Sequence, residues 1–538
     1  MVSPDGSYPR HQRSADKAHR QASLFAWRPD PSGKAPPMPL SLEEVHQATA
    51  LLRRLLDDRS QLDDVPLADA KALLEAAGRL ANPPKDDSAR FLKHKNRKER
   101  LEKRMQDRAA RAEAAIRQAR KSPVFVPPQN ILGSGIPHQP RTGRVLDTPF
   151  HCYVCKREFR EVHHFYDSMC LECGDFNYLK RFQVAPLDGK VALITGGRVK
   201  IGYQASLMLL RSGAHVIATT RFPHDATQRY LKEPDFTKWG HRLEIYGLDL
   251  RHAPSVELFA EFLTRTHERL DIVINNAAQT VRRPPGFYRH LAEFEHSSVT
   301  ALPEASQRLL TGHSTLVEQV KPRRTDELAT FRSHDPAVGL HSSAALSLVP
   351  YDLEQDTSHA FPEGKLDADL QQVDLRTVNS WRLKLGEVAT GEMLEVHLVN
   401  AVAPFILCGK LRGLMTRHRE GWGHVVNVSA MEGSFSRGTK TDKHPHTNMA
   451  KAALNMLTLT SAPDYASSLL AMNAVDTGWV TDEDPAQHAE RKTNELGFEP
   501  PLDIVDGAAR VVDPVFEAER TGQFVWGKFF KDYKPTSW

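Results

Sequence analysis

The C-terminal two-thirds of this 538-residue chain, from about Leu187 to Trp538, predicts an α/β fold: a doubly wound parallel sheet interrupted by a large insertion. Three observations predict it. Short, nearly all-apolar runs such as Val191–Thr195 and His215–Thr220 read as strands buried on both faces. Helix-length segments alternate with them. A glycine-rich turn, Gly196-Gly197-Arg198-Val199-Lys200-Ile201-Gly202, joins the first of these strands to a helix through Leu210.

The remaining strands follow in order. Leu243–Leu250, Asp271–Ala278, Gly423–Ala430 and Ala471–Gly478 each continue the pattern, with a helix over Val256–Leu270 and another through Lys451. Pro501–Phe516 reads as a further helix and Gln523–Trp526 as the last strand. A glycine turn between strand and helix lets backbone N–H groups and the helix N-terminus meet a pyrophosphate, which is the Rossmann arrangement. Arg221 closes the second strand, where such a sheet meets the adenosine ribose; a base there suits the 2′-phosphate of NADP(H). Arg198 is a second candidate, and NAD(H) stays open as the alternative.

The rest of the chain is built differently. Residues 1–40, rich in Pro, Ser, Arg and His, are expected to be disordered, and 41–122 to be helical. Within that region Arg90–Lys121 is crowded with Lys and Arg. It reads as a solvated helix with Glu99–Lys103 and Glu113–Arg117 pairs, or as a basic arm for nucleic acid or an acidic partner. No aromatic residues are interleaved to stack bases, which favours the first reading. Residues 123–148 read as a linker.

Residues 149–186 hold Cys152-x2-Cys155 and Cys170-x2-Cys173, separated by 14 residues. Two such knuckles can close a tetrahedral thiolate shell around structural Zn2+, and His163 or His164 is an alternative ligand. A closed shell leaves no position for substrate, so the module is expected to scaffold or to hold a partner. The fifth cysteine, Cys408, lies on an apolar helix face and reads as core.

A net charge of +4 is too weak to imply nucleic acid or an anionic membrane by itself. No run approaches the ~20 apolar residues that span a bilayer, and the N-terminus lacks a signal-like apolar core, so a cytoplasmic protein is expected.

These motifs resemble the short-chain dehydrogenase/reductase superfamily over about Leu187–Trp538. TGGRVKIG is similar to its TGxxxGxG turn, Asp249-Leu250 to its adenine-contacting segment, and Asn275-Asn276-Ala277-Ala278 to its NNAG strand end. Asn400 resembles its active-site helix asparagine, and NMAKAALNML its catalytic lysine helix, with Lys451. Thr477-Gly478 resembles the turn beside the carboxamide. The resemblance implies a cofactor site of Gly196, Gly197, Arg198, Ile201, Gly202, Arg221, Asp249, Leu250, Asn275, Asn276, Ala277, Lys451 and Gly478. It also implies a small-molecule substrate and a homo-oligomer.

The sequence departs from the pattern where chemistry is done. Lys200 replaces the middle glycine of the turn. Counting back four residues from Lys451 reaches Thr447 where the family keeps tyrosine. Ala430 stands at the serine position, with Ser429 one residue early. A threonine hydroxyl is a far weaker acid than a phenol near pKa 10. His444 and His446 titrate in the useful range and are alternative donors.

The interval from Asn276 to Asn400 is about a hundred residues longer than the family norm. Residues 281–390 therefore read as an insertion, either a lid or substrate domain or surface decoration. Helix-like runs are expected at Leu302–Leu310 and Leu366–Leu385, with Arg282, Arg283 and Tyr288 available to an anionic substrate. Two functions are expected to compete. One is an NADP(H)-dependent oxidoreductase acting on a carbonyl or alcohol with an altered proton donor, through Lys451, Asn400, Thr447 and Ser429. The other is a catalytically degenerate nucleotide-binding scaffold or sensor that holds a protein partner through the zinc module and basic helix.

Overall fold

The computed structural model describes residues 40–83, 85–122, 124, 139–320, 335–350, 358–367, 369–417 and 421–538. The stretch expected to be disordered lies outside these residues apart from Leu40, as does most of the expected linker. The chain divides into two compact units between Arg97 and Lys98.

In the first unit, helix α1 (Leu42–Asp57) starts at a reciprocal cap: Ser41 Oγ accepts from the Glu44 amide, and the Glu44 carboxylate accepts from the Ser41 amide. Helix α2 (Leu67–Ala81) follows Pro66 and ends at Asn82. The basic helix, α3 (Lys85–Ala112), spans the division at Arg97.

The second unit is organised by one eight-stranded sheet. Its strands are β3 (Val191–Thr195), β4 (His215–Thr220), β5 (Leu243–Gly247), β6 (Ile272–Asn275), β7 (Gly423–Ser429), β8 (Leu470–Asp476), β9 (Phe529–Lys531) and β10 (Lys534–Thr536). The order is β10-β9-β8-β7-β6-β3-β4-β5, parallel throughout except for the antiparallel pair β9–β10. Helices cover both faces. α5 (Lys200–Arg211) and α9 (Ile504–Thr521) bury Leu207 and Val511 on one side. α6 (Ala253–Thr266) and α7 (Ala403–Thr416) bury Phe259 and Leu407 on the other. The chain order reverses between β3 and β6, and in such sheets ligands bind outside the strand ends at that switch point.

Several elements differ from expectation. The last parallel strand is β9, not 523–526; there Phe524 stacks on Trp422, and Gly527, at φ +67°, redirects the chain into the sheet edge. The described residues of 366–385 form no α-helix: Leu366 and Gln372 form an antiparallel bridge, and short 3-10 turns lie at Ser380–Arg382 and from Leu385. Helices in the insertion include Pro285–His296, Thr311–Val320 and, within the expected Leu302–Leu310 run, Glu304–Leu309. The helical run Thr390–Thr416 is long and apolar enough to cross a bilayer by length and composition, against the expectation that none is. In this fold it acts as a core helix, burying Leu407, Cys408, Leu411 and Leu414.

The cysteine module is a two-stranded antiparallel sheet, β1 (Val145–His151) and β2 (Glu158–Glu161), followed by helix α4 (Leu171–Lys180). β1 begins within the stretch read as linker. The C-terminal part of the basic segment is spent internally rather than solvated. Arg117 is buried and donates to Asp167, which also receives Arg111, while Arg117 and Arg120 pair with Glu499. The expected Glu113–Arg117 pair is replaced by these ties, and Glu113 faces Arg144.

Candidate functional site

At the switch point β3 ends on a turn that demands glycine. Gly196 sits at φ +73°, and the amides of Gly196 and Gly197 both donate to Thr219 O at 2.9 and 3.0 Å. A Cβ on Gly202 would lie 2.2 Å from the Gly196 carbonyl oxygen and 2.3 Å from Asn276 Nδ2, so only glycine lets α5 start this close to the strand end. Asn276 Nδ2 donates to Thr195 O, and Thr195 Oγ1 accepts from the Ala277 amide, tying β6 to β3. No side chain caps the N-terminus of α5, which leaves its first amides to an anion.

Lys200, where the family keeps glycine, is held at φ +55°, a conformation that costs an L-residue about 1–2 kcal/mol. Its ammonium lies 3.9 Å from the Asp369 carboxylate of the insertion.

The turn opens on a cleft of about 590 Å³. Gly196, Arg221, Asp249, Asn276 and Val480 line it together with insertion residues such as Gln371. The two arginines proposed for the ribose behave differently. Arg198 is buried and already donates to Asp225 and Gln371 at 2.6 and 2.7 Å. Among the described residues Arg221 donates only to neutral oxygens, Ser347 Oγ at 3.0 Å and Tyr288 Oη at 2.8 Å, and it lies over the Tyr288 ring. Among the described residues no carboxylate pairs with it. Asp249 is chelated by Arg251; burial works to raise its carboxyl, but the guanidinium prevails and holds it below its ordinary value.

Four expected cofactor residues, Gly197, Asn275, Lys451 and Gly478, do not line the cleft. Asn275 points from the opposite face of β6, where its amide donates to Asn427 Oδ1 at 2.8 Å and to Cys408 Sγ. Gly478, at φ +77°, is wedged against Leu502 and Tyr153 of the cysteine module, and the wall of the cleft begins at Val480. Gly197 is likewise a packing residue, closed in by Ala218 and Ser206.

Of the expected catalytic side chains, Asn400 and Thr447 form a floor to the cleft by bonding the backbone of Gln279 and Thr280, which line it. Helix α8 (Pro445–Ala466) carries Thr447 and Lys451 one turn apart. Lys451 is 4% exposed and donates to Val428 O at 2.9 Å, and burial pushes its ammonium down to about 8. Thr447 donates to Thr280 O at 3.2 Å. Asn400 lies in a π-turn, Leu398–Val402, a local widening frequent at functional positions. Its amide donates to Gln279 O and Val396 O, while Oδ1 has no partner among the described residues. Ser429 turns into the core and donates to Asn455. Thus Gln279 and Thr280, at the mouth of the insertion, form a bridge between the cleft and this floor.

Burial disfavours the protonated form of both alternative donors. His444 stacks flat on Trp381 at 4.0 Å, and burial pushes both His444 and His446 below the ordinary histidine range. Arg282 faces Glu395 and Arg283 pairs with Asp374, while Arg283 still lines the cleft. Sequence reasoning missed Ser347, Gln371 and Asp374, isolated insertion residues without periodicity. It also passed over Asp482, Glu483 and Asp484, a visible acidic run that lines the cleft.

In the module the four cysteine sulfurs lie within 4.8 Å of one another, and Cys155 Sγ is 3.8 Å from Cys170 Sγ. A tetrahedral shell with bonds of about 2.3 Å sets its sulfurs about 3.8 Å apart, so the donor set fits Zn2+. His163 is not part of it: one ring nitrogen accepts from the Phe165 and Tyr166 amides and the other faces Asp175.

The short chain dehydrogenase family model matches residues 190–307. An uncharacterized protein of Acanthamoeba polyphaga mimivirus is 32% identical over 394 residues, covering 71% of this chain and 74% of that protein. Human retinol dehydrogenase 13 is 32% identical over 93 residues, which is 17% of this chain and 28% of that protein. The NADPH-bound carbonyl reductase from chicken fatty liver is 16% identical with a TM-score of 0.39, covering 65% of this chain and all of that one. The family match falls on the stretch that builds the glycine turn and its facing strand ends, and it places residues 190–307 of this chain in the short chain dehydrogenase family.

Proposed function

We propose that the protein binds NADP(H) in this cleft and is an oxidoreductase whose proton path does not use the family's serine and tyrosine. The observation that carries the cofactor reading is Arg221: a cation at the ribose end of β4, lining the cleft, with no carboxylate partner among the described residues. The α5 N-terminus and the space at Gly202 accommodate a pyrophosphate. NADP(H), when bound, supplies the hydride. Replacing Arg221 with alanine is expected to weaken NADPH binding by about tenfold and NADH binding less than twofold, read by nucleotide fluorescence titration. Equal losses for both would remove the NADP(H) preference.

Lys451 is the titratable group left at the floor, since burial brings its ammonium to about 8, within reach of acid–base work at neutral pH. Carbonyl reduction needs the protonated form, so kcat/KM in that direction is expected to fall as pH rises through about 8. Lys451→Met is expected to abolish the inflection. The structural observation favouring the scaffold reading is that Lys451, Thr447 and Ser429 all spend their hydrogen bonds inward. Tight NADPH binding with no turnover of any carbonyl would decide for that reading.

Four thiols with matching spacing support structural Zn2+ in the module. A homo-oligomer would have Phe405, Met449 and Met456 to bury, exposed on the helices that flank the sheet.

A further inference from the structure

The four-thiol module has no place in hydride transfer, yet it touches the cleft at two points. Tyr153 lies inside the first knuckle, between ligands Cys152 and Cys155, and its hydroxyl accepts from the Trp479 amide at 3.0 Å. The same hydroxyl lies 3.1 Å from where a Cβ on Gly478 would stand. Gly478 and Trp479 lead directly into Val480–Asp484, the acidic wall of the cleft.

The knuckle's own turn sets the position of Tyr153. The Cys152 amide donates to Arg157 O, the Tyr153 amide to Ser168 O, and the Lys156 amide back to Cys152 O. A metal that pulls Cys152 and Cys155 together therefore fixes the tyrosine between them.

The second contact is apolar. Cys152, Phe165, Tyr166, Val480 and Leu502 share one buried cluster, against which Cys155, Cys170, Cys173 and Ile201 pack. Ile201 is the residue between Lys200 and Gly202, in the first turn of α5, and it lines the cleft. From the second knuckle, Asn177 donates to Cys173 O and accepts from Arg510, whose helix α9 lies against α5. Both knuckles thus bear on the segments that close around a bound dinucleotide.

We propose that metal occupancy of the four-thiol site governs dinucleotide affinity, the module acting as a brace that holds Gly478–Asp484 and Ile201 in their binding positions. The inference rests on the reading that the cleft binds NADP(H). A module this small depends on its metal to stay folded. Loss of the metal therefore frees Tyr153 from Trp479 and loosens the cluster beneath Val480 and Ile201.

The test uses the full chain loaded with zinc, one ion per chain by atomic absorption, and NADPH titrated by fluorescence. Removing zinc with a chelator under reducing conditions is expected to raise the NADPH Kd at least tenfold, with recovery when zinc is restored. Tyr153→Phe keeps all four thiols and is expected to retain one zinc while raising Kd about three- to fivefold, the loss of one hydrogen bond. An unchanged Kd after zinc removal overturns the inference. So does a Tyr153→Phe protein that binds NADPH like the wild type, because the metal effect would then be general unfolding. If the zinc-loaded wild type binds no NADPH, the functional reading itself fails, an outcome distinct from binding that ignores the metal.

Discussion

Arg181→Met is expected to cost about 3–5 kcal/mol of stability, among the largest losses available to a single substitution in this chain. Arg181 is 1% exposed, with its guanidinium 2.7 Å from Asp503 and 2.9 Å from Asp506, and lies over the Phe165 ring. Asp503 caps α9 by accepting from the Val505 and Asp506 amides, and Tyr166 donates to Asp506. Burial works to raise both carboxyls; at Asp503 the arginine prevails and holds it down, whereas Asp506, facing Asp503, is pushed up. Methionine fills the space but strands the carboxylates without their cation. Urea denaturation is the measurement, and a loss below about 1 kcal/mol would mean the network relaxes through water or protonation. Asp503→Asn on the same background is expected to recover part of the loss by removing one stranded charge.

Gly202→Val is expected to reduce NADPH affinity more than a hundredfold, equivalent to about 2.8 kcal/mol or more. The new Cβ would meet the Gly196 carbonyl oxygen at 2.2 Å, and that atom is backbone inside the turn. Asn276 can swing away, but Gly196 moves only by opening the turn, because its amide is tied to Thr219. The variant's circular dichroism separates a lost site from a lost fold. Binding within tenfold of wild type would place the pyrophosphate somewhere other than this turn.

Much of the sheet was legible because parallel strands buried on both faces are written as continuous apolar runs. Val191–Thr195, His215–Thr220 and Gly423–Ser429 form the strands expected of them. Strand β9 has three residues and too little pattern to locate, so the reading stopped a few residues early. Asn275 and Asn276 are adjacent in a motif but project to opposite faces, a consequence of strand alternation that motif matching overlooks. Arg117 looked like a solvated helix charge because its partners, Asp167 and Glu499, are remote in sequence. The insertion's hold on the cleft was invisible for the same reason. Ser347 beside Arg221 and Gln371 beside Arg198 are single polar residues whose meaning exists only after folding.

The contacts of Tyr166, Asn177 and Arg181 with Asp506, Arg510 and Asp503 have a consequence for how such a chain can be shortened or inherited. A fragment cut at Leu187 would keep the whole sheet yet begin with buried acids and an arginine whose counterparts had been discarded. A gene that lost the cysteine segment would need compensating changes along one face of α9 before its product folded well. The boundary drawn by composition is therefore not a seam, and the two segments are expected to travel together through duplication, truncation and fusion.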